Sequence, residues 1–366
     1  MQTRGYGTYR GRSWFRTFLK ILIGVLLVLL VLLTAAFFFL EPHIIYSPDG
    51  IRIDLPFLSQ GGGGGGGAGP VGPVNSFPVE TPDLDLNLPD PTPTPEPTPE
   101  PGAPFHGVEL AAPALYDGTA QSQVDEAGAN AAVFDMKSDE GALAYISQLE
   151  LALDAKVSAS DGAINAAIQL LNTGELYTVA RISCFRDNTV PRSNMPMAVK
   201  TTAGNWRDKG NYRWLSPANP EARAYVIGVC VELAGLGFDE LLLDNCGFPT
   251  QGKVNIIQSG NNYPAGELEG ALETFFQELE AALASYPEVK VSVMTSEAVL
   301  AGAQEDLSGL SADLLAAHAW RVWVPASQEG NDYAALAVDM GLTPDRVVTI
   351  AGDVRPLEES WAVLAS

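Results

Sequence analysis

Acidic side chains follow five apolar stretches that have the composition of β-strands, either directly or within a few residues. They are Asp135, Asp187, Asp244, Glu297 and Asp353. Two carboxylates set across a glycosidic bond can hydrolyse it when one is ionised, as nucleophile or base, and the other is protonated, as acid. For each residue taken alone, capping of a following helix is the competing interpretation. The set therefore indicates glycoside hydrolysis if the fold brings the carboxylates together.

Asp244 has the most informative surroundings of the five. It ends the apolar run Leu241-Leu242-Leu243 and leads into Asn245-Cys246-Gly247-Phe248-Pro249, so that a buried strand opens into a rigid loop at this residue. We predict that Asp244 is the nucleophile or ion-pair stabiliser. Its acid/base partner is predicted to be Glu297 or Asp353.

Cations and aromatic residues accompany these carboxylates. Lys137 and Arg181 lie on the predicted second and third strands. Each could pair with a carboxylate of the functional site or form a structural salt bridge, and the sequence leaves both alternatives open. Trp206 and Trp214 lie in the long loop after the third strand, and their rings can stack on sugars or simply pin the loop to the barrel. The predicted substrate-binding set is Asp135, Lys137, Arg181, Asp187, Trp206 and Trp214.

No metal site or cofactor is predicted. The few histidines and cysteines lie far apart and have none of the short spacings of zinc or redox motifs. An odd number of cysteines also excludes a scaffold held together by disulfides. These residues are His43, His106, His318, Cys184, Cys230 and Cys246.

The elements that must position these residues alternate between strands and helices over residues 103–366. Strands separated by helices form parallel sheets, and seven or eight such units in this length match a (β/α)₈ TIM-like barrel of the α/β class. A doubly wound open sheet is the alternative, although no Gly-x-Gly-x-x-Gly follows the first strand. The predicted strands are His106–Ala112, Ala131–Asp135, Leu176–Ser183, Glu240–Asp244, Lys290–Met294, Leu314–Ala319, Val347–Ile350 and an atypical eighth, Trp361–Ala365.

Four segments of different composition precede this domain. Residues 1–20 are basic, and residues 21–40 are uncharged and long enough for a transmembrane helix, with a cleaved signal peptide as the alternative. The basic tail predicts a cytoplasmic amino terminus. Residues 41–58 predict a juxtamembrane hairpin, and residues 59–102 a disordered Gly/Pro-rich linker. We therefore expect a single-pass bacterial membrane protein whose domain at 103–366 is extracytoplasmic.

The overall composition limits the kind of partner. The chain is 46% apolar, which is typical of a globular protein, and its net charge is −23. So negative a protein repels phosphate backbones, which argues against a nucleic-acid partner.

Several short motifs occur in a consistent order along the predicted barrel. They include Asp135-Met-Lys137, Ala180-Arg181-Ile182, Gly204-Asn-Trp206, Trp214-Leu-Ser-Pro217 and Gly237-Phe238-Asp239-Glu240 followed by Asp244. Together they resemble the bacterial family of glycoside-hydrolase-like TIM-barrel domains found on envelope proteins, from Phe105 to Leu300. The family tends to follow the strand-four Asp with Tyr-x-Arg-Phe-Pro, where this chain has Asn245-Cys246-Gly247-Phe248-Pro249, and Ser216 replaces the usual Asp before Pro217.

The resemblance implies a TIM barrel that acts on envelope or extracellular polysaccharide. The expected ligand is a polysaccharide or oligosaccharide, held at the strand ends. Two alternatives remain open. One is a catalytically inactive barrel that binds cell-wall glycan, which the altered loop after Asp244 motivates, and the other is an envelope scaffold that binds a protein partner.

Overall fold

The computed structural model describes residues 44–47, 50–53, 103–302, 307–326, 333–339, 341–353 and 358–364. The predicted basic tail, membrane span and linker, at 1–20, 21–40 and 59–102, lie outside these residues. No helix within the described ranges is long and apolar enough to cross a membrane. Two strands, Ile44–Ser47 and Gly50–Ile53, pair antiparallel within the segment that the sequence predicts as a hairpin.

Eight parallel strands close into one barrel, as predicted. Each strand pairs with the next along the chain, and the last pairs with the first, with Trp361 opposite His106. A closed ring leaves no sheet edge exposed. The strands are β1 (His106–Glu109), β2 (Ala131–Lys137), β3 (Tyr177–Ser183), β4 (Glu240–Asp244), β5 (Lys290–Met294), β6 (Arg321–Pro325), β7 (Val347–Ala351) and β8 (Trp361–Val363).

Alternate residues of each strand point into the barrel and fill its interior. On β2, Ala131 and Val133 belong to the interior apolar cluster, whereas Ala132 and Phe134 belong to the cluster between strands and helices. Because both faces are buried, the strands appear in the sequence as continuous apolar runs. The interior cluster also contains Phe105, Val179, Leu242, Trp323, Val348 and Ala362.

Helices connect the strands around the outside. The helix Pro220–Gly235 begins at a side-chain cap, since the Asn219 side-chain oxygen accepts hydrogen bonds from the backbone N–H groups of Glu221 and Ala222 at 3.0 and 3.1 Å. The α-helices within the described residues are α1 (Ala120–Glu126), α2 (Glu150–Ala155), α3 (Ile164–Asn172), α4 (Val190–Ser193), α5 (Pro220–Gly235), α6 (Leu268–Leu283), α7 (Glu297–Leu300), α8 (Ala312–His318) and α9 (Tyr333–Asp339).

Among the barrel strands that the structure describes, the sixth is assigned wrongly from the sequence. Leu314–Ala319, predicted as a strand, belongs mostly to helix α8, and the sixth strand is Arg321–Pro325. Ser311 caps the helix by accepting a hydrogen bond from the Leu314 backbone N–H at 3.2 Å. The strand itself carries Val322, Trp323 and Val324, whose β-branched and aromatic side chains suit a buried strand.

Candidate active site

A cavity of about 480 Å³ opens at the carboxyl ends of the barrel strands. The residues on its floor follow the inward-pointing residues of the strands at a spacing of two, so they also point into the barrel. Asp135 lies two residues after Val133, and Asp244 lies two residues after Leu242. Each strand, or for β8 the residue that directly follows it, supplies one floor residue, namely Glu109, Asp135, Arg181, Asp244, Met294, Pro325, Ile350 and Leu364. Loop residues complete the lining, namely Ser138, Asp139, Glu140 and Tyr212. Five of these twelve side chains are carboxylates, and one is a cation.

That cation, Arg181, holds the carboxylates of the two neighbouring strands. Its Nη1 donates to Asp135 Oδ1 at 2.9 Å, and its Nη2 donates to Asp244 Oδ2. Asp139 Oδ1 lies 3.8 Å from the same Nη2. The Asp244 and Arg181 side chains are mostly buried, with 15% and 17% of their surface exposed. The guanidinium therefore fixes Asp135 and Asp244 on either side of one rigid, planar group.

Burial and neighbouring charges shift the pKa values of Asp135 and Arg181 in this cluster. Burial raises the pKa of Asp135, although the charge of Arg181 opposes this shift. Burial by itself would lower the pKa of Arg181, but the charges of Asp244, Asp135 and Asp139 outweigh it and raise that pKa. Arg181 therefore stays charged, and Asp135 keeps its proton to a higher pH than an ordinary aspartate.

The loop after Asp244 orients its carboxylate. Asn245 adopts a left-handed backbone conformation, with φ of 48°, and its N–H donates to Asp244 Oδ1 at 2.6 Å. Asparagine tolerates this conformation better than most residues do. The Asn245 side chain donates to Ser183 Oγ at 3.0 Å and to Asp139 Oδ1 at 3.2 Å. Although the arginine usual in this loop is missing, Arg181 from β3 supplies a positive charge beside Asp244.

A second ion pair network supports the rim of the cavity. Arg186 forms a salt bridge with Asp139 and donates from Nε to Asp208 Oδ2 at 2.7 Å. Its guanidinium lies 4.3 Å from the centre of the Tyr212 ring, in cation–π geometry. Tyr212, from the same aromatic loop as Trp206 and Trp214, lines the cavity, and so does Asp139, to which no role in the site is assigned from the sequence. Glu109 and Glu140 are also missed.

Lys137 and Asp187, predicted to bind substrate, form a buried pair away from the cavity. Both side chains are 0% exposed, and Lys137 Nζ lies 3.0 Å from Asp187 Oδ2. Lys137 also donates to the Ser183 carbonyl at 2.7 Å. Asp187 Oδ1 accepts from the backbone N–H groups of Thr189 and Val190, each at 2.9 Å, at the start of α4. Because no surface of either side chain faces solvent, the pair is a structural salt bridge, which corrects the predicted role.

Gly141 leaves the space that this pair needs. A Cβ atom built on Gly141 would lie 2.4 Å from Asp187 Oδ1, well inside van der Waals contact. The residue also has a φ of 88°, which other L-amino acids rarely adopt. The glycine is therefore required both by the turn and by the close approach of the Asp187 carboxylate.

The two tryptophans predicted to stack on sugar are buried. Trp206 is 1% exposed, and its indole N–H donates to the Lys253 carbonyl at 2.9 Å. Trp214 is 7% exposed and donates to Asp208 Oδ2 at 3.1 Å. With so little of either side chain exposed, the alternative, that they pin the loop to the barrel, replaces the predicted sugar platform. Tyr212 is the aromatic residue that lines the cavity.

Glu297 and Asp353, predicted as acid/base partners of Asp244, do not line the cavity. Each lies three residues beyond a floor residue, Met294 or Ile350, and so falls outside the strand alternation. Glu297 begins helix α7 and accepts a hydrogen bond from the Tyr333 hydroxyl. A carboxylate in the first turn of a helix interacts favourably with the helix dipole, which is the capping interpretation left open for the strand-end acids. Asp353 is exposed.

No group of three or more His, Cys, Asp or Glu side chains within the described ranges is arranged to hold a metal ion. The three cysteines are buried free thiols, and burial raises the pKa of Cys184 and Cys230. The ionisable side chains that line the cavity are five carboxylates, one guanidinium and one phenol.

One family model matches the chain. A family described as "Putative glycosyl hydrolase domain" matches residues 116–308, more than half of the chain. No curated protein matches. A hypothetical protein from Ruminiclostridium thermocellum is 25% identical, with a TM-score of 0.43, and the alignment covers 56% of this chain and 98% of that one.

Two larger enzymes are also similar in structure. A Paenibacillus sp. cycloisomaltooligosaccharide glucanotransferase is 16% identical, with a TM-score of 0.47, and the alignment covers 68% of this chain and 38% of that one. A GH36 α-galactosidase from Geobacillus stearothermophilus is 9% identical, with a TM-score of 0.46, 71% of this chain and 38% of that one being covered. This chain thus spans well under half the length of either enzyme.

Proposed function

The chain belongs to the family of putative glycosyl hydrolase domains, and on this premise we propose that it hydrolyses envelope or extracellular polysaccharide in the cavity at the barrel mouth. The observation that carries the proposal is the position of Asp135 and Asp244, both on the cavity floor and both bound to Arg181. Two fixed carboxylates at the carboxyl ends of barrel strands are what acid-assisted glycoside cleavage needs.

In the proposed mechanism, Asp244 is the ionised carboxylate that attacks the sugar or stabilises positive charge developing on it. Asp135 is the acid that gives a proton to the leaving oxygen, because it lines the same cavity and burial raises its pKa. Arg181 positions both carboxylates. Glu297 and Asp353, the partners predicted from the sequence, are not part of this mechanism because they do not line the cavity.

A catalytically inactive barrel that binds glycan is the second candidate. Two observations favour it: Arg181 occupies an oxygen of both floor carboxylates, and the loop after Asp244 lacks the Tyr and Arg usual in the family. Incubation of the full chain with a panel of wall and matrix glycans separates the candidates. Release of new reducing ends supports the hydrolase, whereas retention of a glycan without release supports the binder.

The proposal includes anchoring by residues 21–40, with the amino terminus in the cytoplasm and the barrel outside. It rests on the uncharged run and the basic tail, and on the Gly/Pro-rich linker that would hold the barrel away from the membrane. We expect protease added to intact cells to cut between Gly61 and Pro101 and to release the barrel. Immunoblotting of the released fraction measures this. A barrel that stays protected while other surface proteins are cleaved would contradict the topology.

The pH dependence of hydrolysis should identify the acid. Because the folded-state pKa of Asp135 is raised, its proton is present at low pH and is lost as the pH rises through that raised pKa. We expect kcat/KM of the wild type to fall as the pH rises through this pKa. The fall should be absent in Asp135→Asn. Asp139→Asn, at another carboxylate that lines the cavity, is the matched control, and its kcat/KM should still fall as the pH rises. If kcat/KM of Asp135→Asn falls over the same pH range as in the wild type, Asp135 is excluded as the acid.

A further inference from the structure

A second cavity, of about 300 Å³, lies in the loop region after β3. Its lining contains three arginines and no carboxylate, the reverse of the cavity at the barrel mouth. The lining residues are Arg192, Met195, Asn205, Arg207 and Arg213. In a chain with a net charge of −23, such a local excess of positive charge requires an explanation.

These arginines differ from four others that the structure describes. Arg181, Arg186, Arg223 and Arg321 each form a salt bridge with a carboxylate. Within the described ranges, none of Arg192, Arg207 and Arg213 has such a partner. Burial lowers the pKa of Arg213, and the charges of Arg207 and Arg192 lower it further. The charge of Glu140 opposes this shift, but Arg207 and Arg192 still place uncompensated positive charge beside Arg213, which a bound anion would offset.

The arginine cavity adjoins the acidic one. Asn188 connects them, since its Oδ1 accepts from Arg213 Nη1 at 2.8 Å and its Nδ2 donates to Glu140 Oε2 at 3.0 Å. Glu140 lines the acidic cavity, and so does Tyr212, the residue before Arg213. The two linings are therefore linked through Asn188 and through the consecutive residues Tyr212 and Arg213.

We propose that the arginine cavity is a subsite for a carboxylate or phosphate group on the glycan whose scissile bond lies in the acidic cavity. This inference rests on the proposed function and narrows its substrate class to anionic polysaccharides. Guanidinium groups bind both anions through paired N–H donors, which gives orientation as well as attraction. The exposed Met195, with 53% of its surface accessible, offers an apolar contact for a sugar ring at the same place.

The test measures binding by the full chain at low ionic strength. The probes are oligogalacturonate, its methyl-esterified neutral form and poly(glycerol phosphate). The variant is Arg192→Gln with Arg207→Gln, which leaves Arg213 and its bond to Asn188 intact. Lys156→Gln with Lys253→Gln is the control, because it removes the same charge from exposed lysines outside both cavities.

We expect at least one anionic probe to bind roughly tenfold or more tightly than the neutral ester, and added salt to weaken that binding. The arginine variant should lose about tenfold in affinity and the lysine control less than about twofold. Preference for the carboxylate or the phosphate probe identifies the source of the anion. Equal losses in the two variants, equal binding of the neutral ester, or no binding of either anion would overturn the proposal.

Hydrolysis of the same probes is measured separately in Asp244→Asn. Cleavage that depends on Asp244 but not on the arginines would overturn the subsite and leave the proposed function standing. Binding that depends on the arginines, with no cleavage by the wild type, would overturn the proposed hydrolysis and leave the anion site standing.

Discussion

Replacement of Lys137 by methionine should destabilise the protein by about 3–5 kcal/mol, because it leaves the Asp187 carboxylate buried without its counter-charge. Both side chains are 0% exposed, and the ammonium group lies 3.0 Å from the carboxylate. The remaining hydrogen bonds to Asp187, from the Thr189 and Val190 backbones, do not neutralise its charge. The free energy of unfolding of the full chain in denaturant measures the effect.

Two variants control this experiment. Lys156→Met removes an exposed lysine and should change stability by about 0.5 kcal/mol or less. Asp187→Asn combined with Lys137→Met removes both charges while the Asn oxygen still accepts the two backbone N–H groups, so it should be more stable than Lys137→Met alone. A loss below about 1 kcal/mol in Lys137→Met would contradict the structural role of the pair.

Asp244→Asn should lower kcat by on the order of 10³-fold or more, which corresponds to roughly 4 kcal/mol of barrier. Asn keeps the size of the side chain, and its single oxygen can still accept from one of the two donors, Arg181 or the Asn245 backbone, which bind different oxygens of Asp244. It removes the negative charge that stabilises an oxocarbenium-like transition state. The initial rate of reducing-end release measures the loss, and thermal unfolding, where the lost hydrogen bond should cost about 1–3 kcal/mol, shows that the variant is still folded at the assay temperature.

Asp125→Asn is the matched control for Asp244→Asn. It makes the same chemical change on an exposed residue of α1, whose carboxylate accepts a bond from Gln121 at 2.8 Å. We expect wild-type rates from this variant. If Asp244→Asn is as active as Asp125→Asn, then Asp244 only orders the loop that follows it.

The barrel was predictable from the sequence because strands buried on both faces appear as apolar runs. Glu240–Asp244 and Lys290–Met294 are predicted residue for residue. The sixth strand was missed because Leu314 and Leu315 fit a buried strand as well as a helix, and the cap at Ser311 decides between them. A short apolar run alone does not distinguish the two structures.

Part of the candidate site could also be predicted. Three predicted residues occupy inward-pointing positions near the carboxyl ends of their strands and line the cavity, namely Asp135, Arg181 and Asp244. The same alternation would have included Glu109 and rejected Glu297, which lies at an odd offset beyond its strand.

Burial at the loop tryptophans and at the Lys137 pair could not be predicted from the sequence. Residue type at a loop position does not show whether a ring faces a cavity or the protein interior. Trp206 is buried because its N–H reaches the Lys253 carbonyl, in a segment 47 residues further along the chain. Lys137 is buried because Asp187 lies in the loop after the next strand of the barrel. Both contacts depend on tertiary packing and not on local pattern.

The most direct test of the account is hydrolysis in ¹⁸O-labelled water by the wild-type full chain and by Asp244→Asn, with mass spectrometry of the products from the glycan that the wild type cleaves. The account predicts that the wild type releases fragments with one ¹⁸O at the new reducing end and that Asp244→Asn releases on the order of 10³-fold fewer. Glycan that stays bound to the wild type with no labelled fragment, or equal label from both proteins, would contradict it.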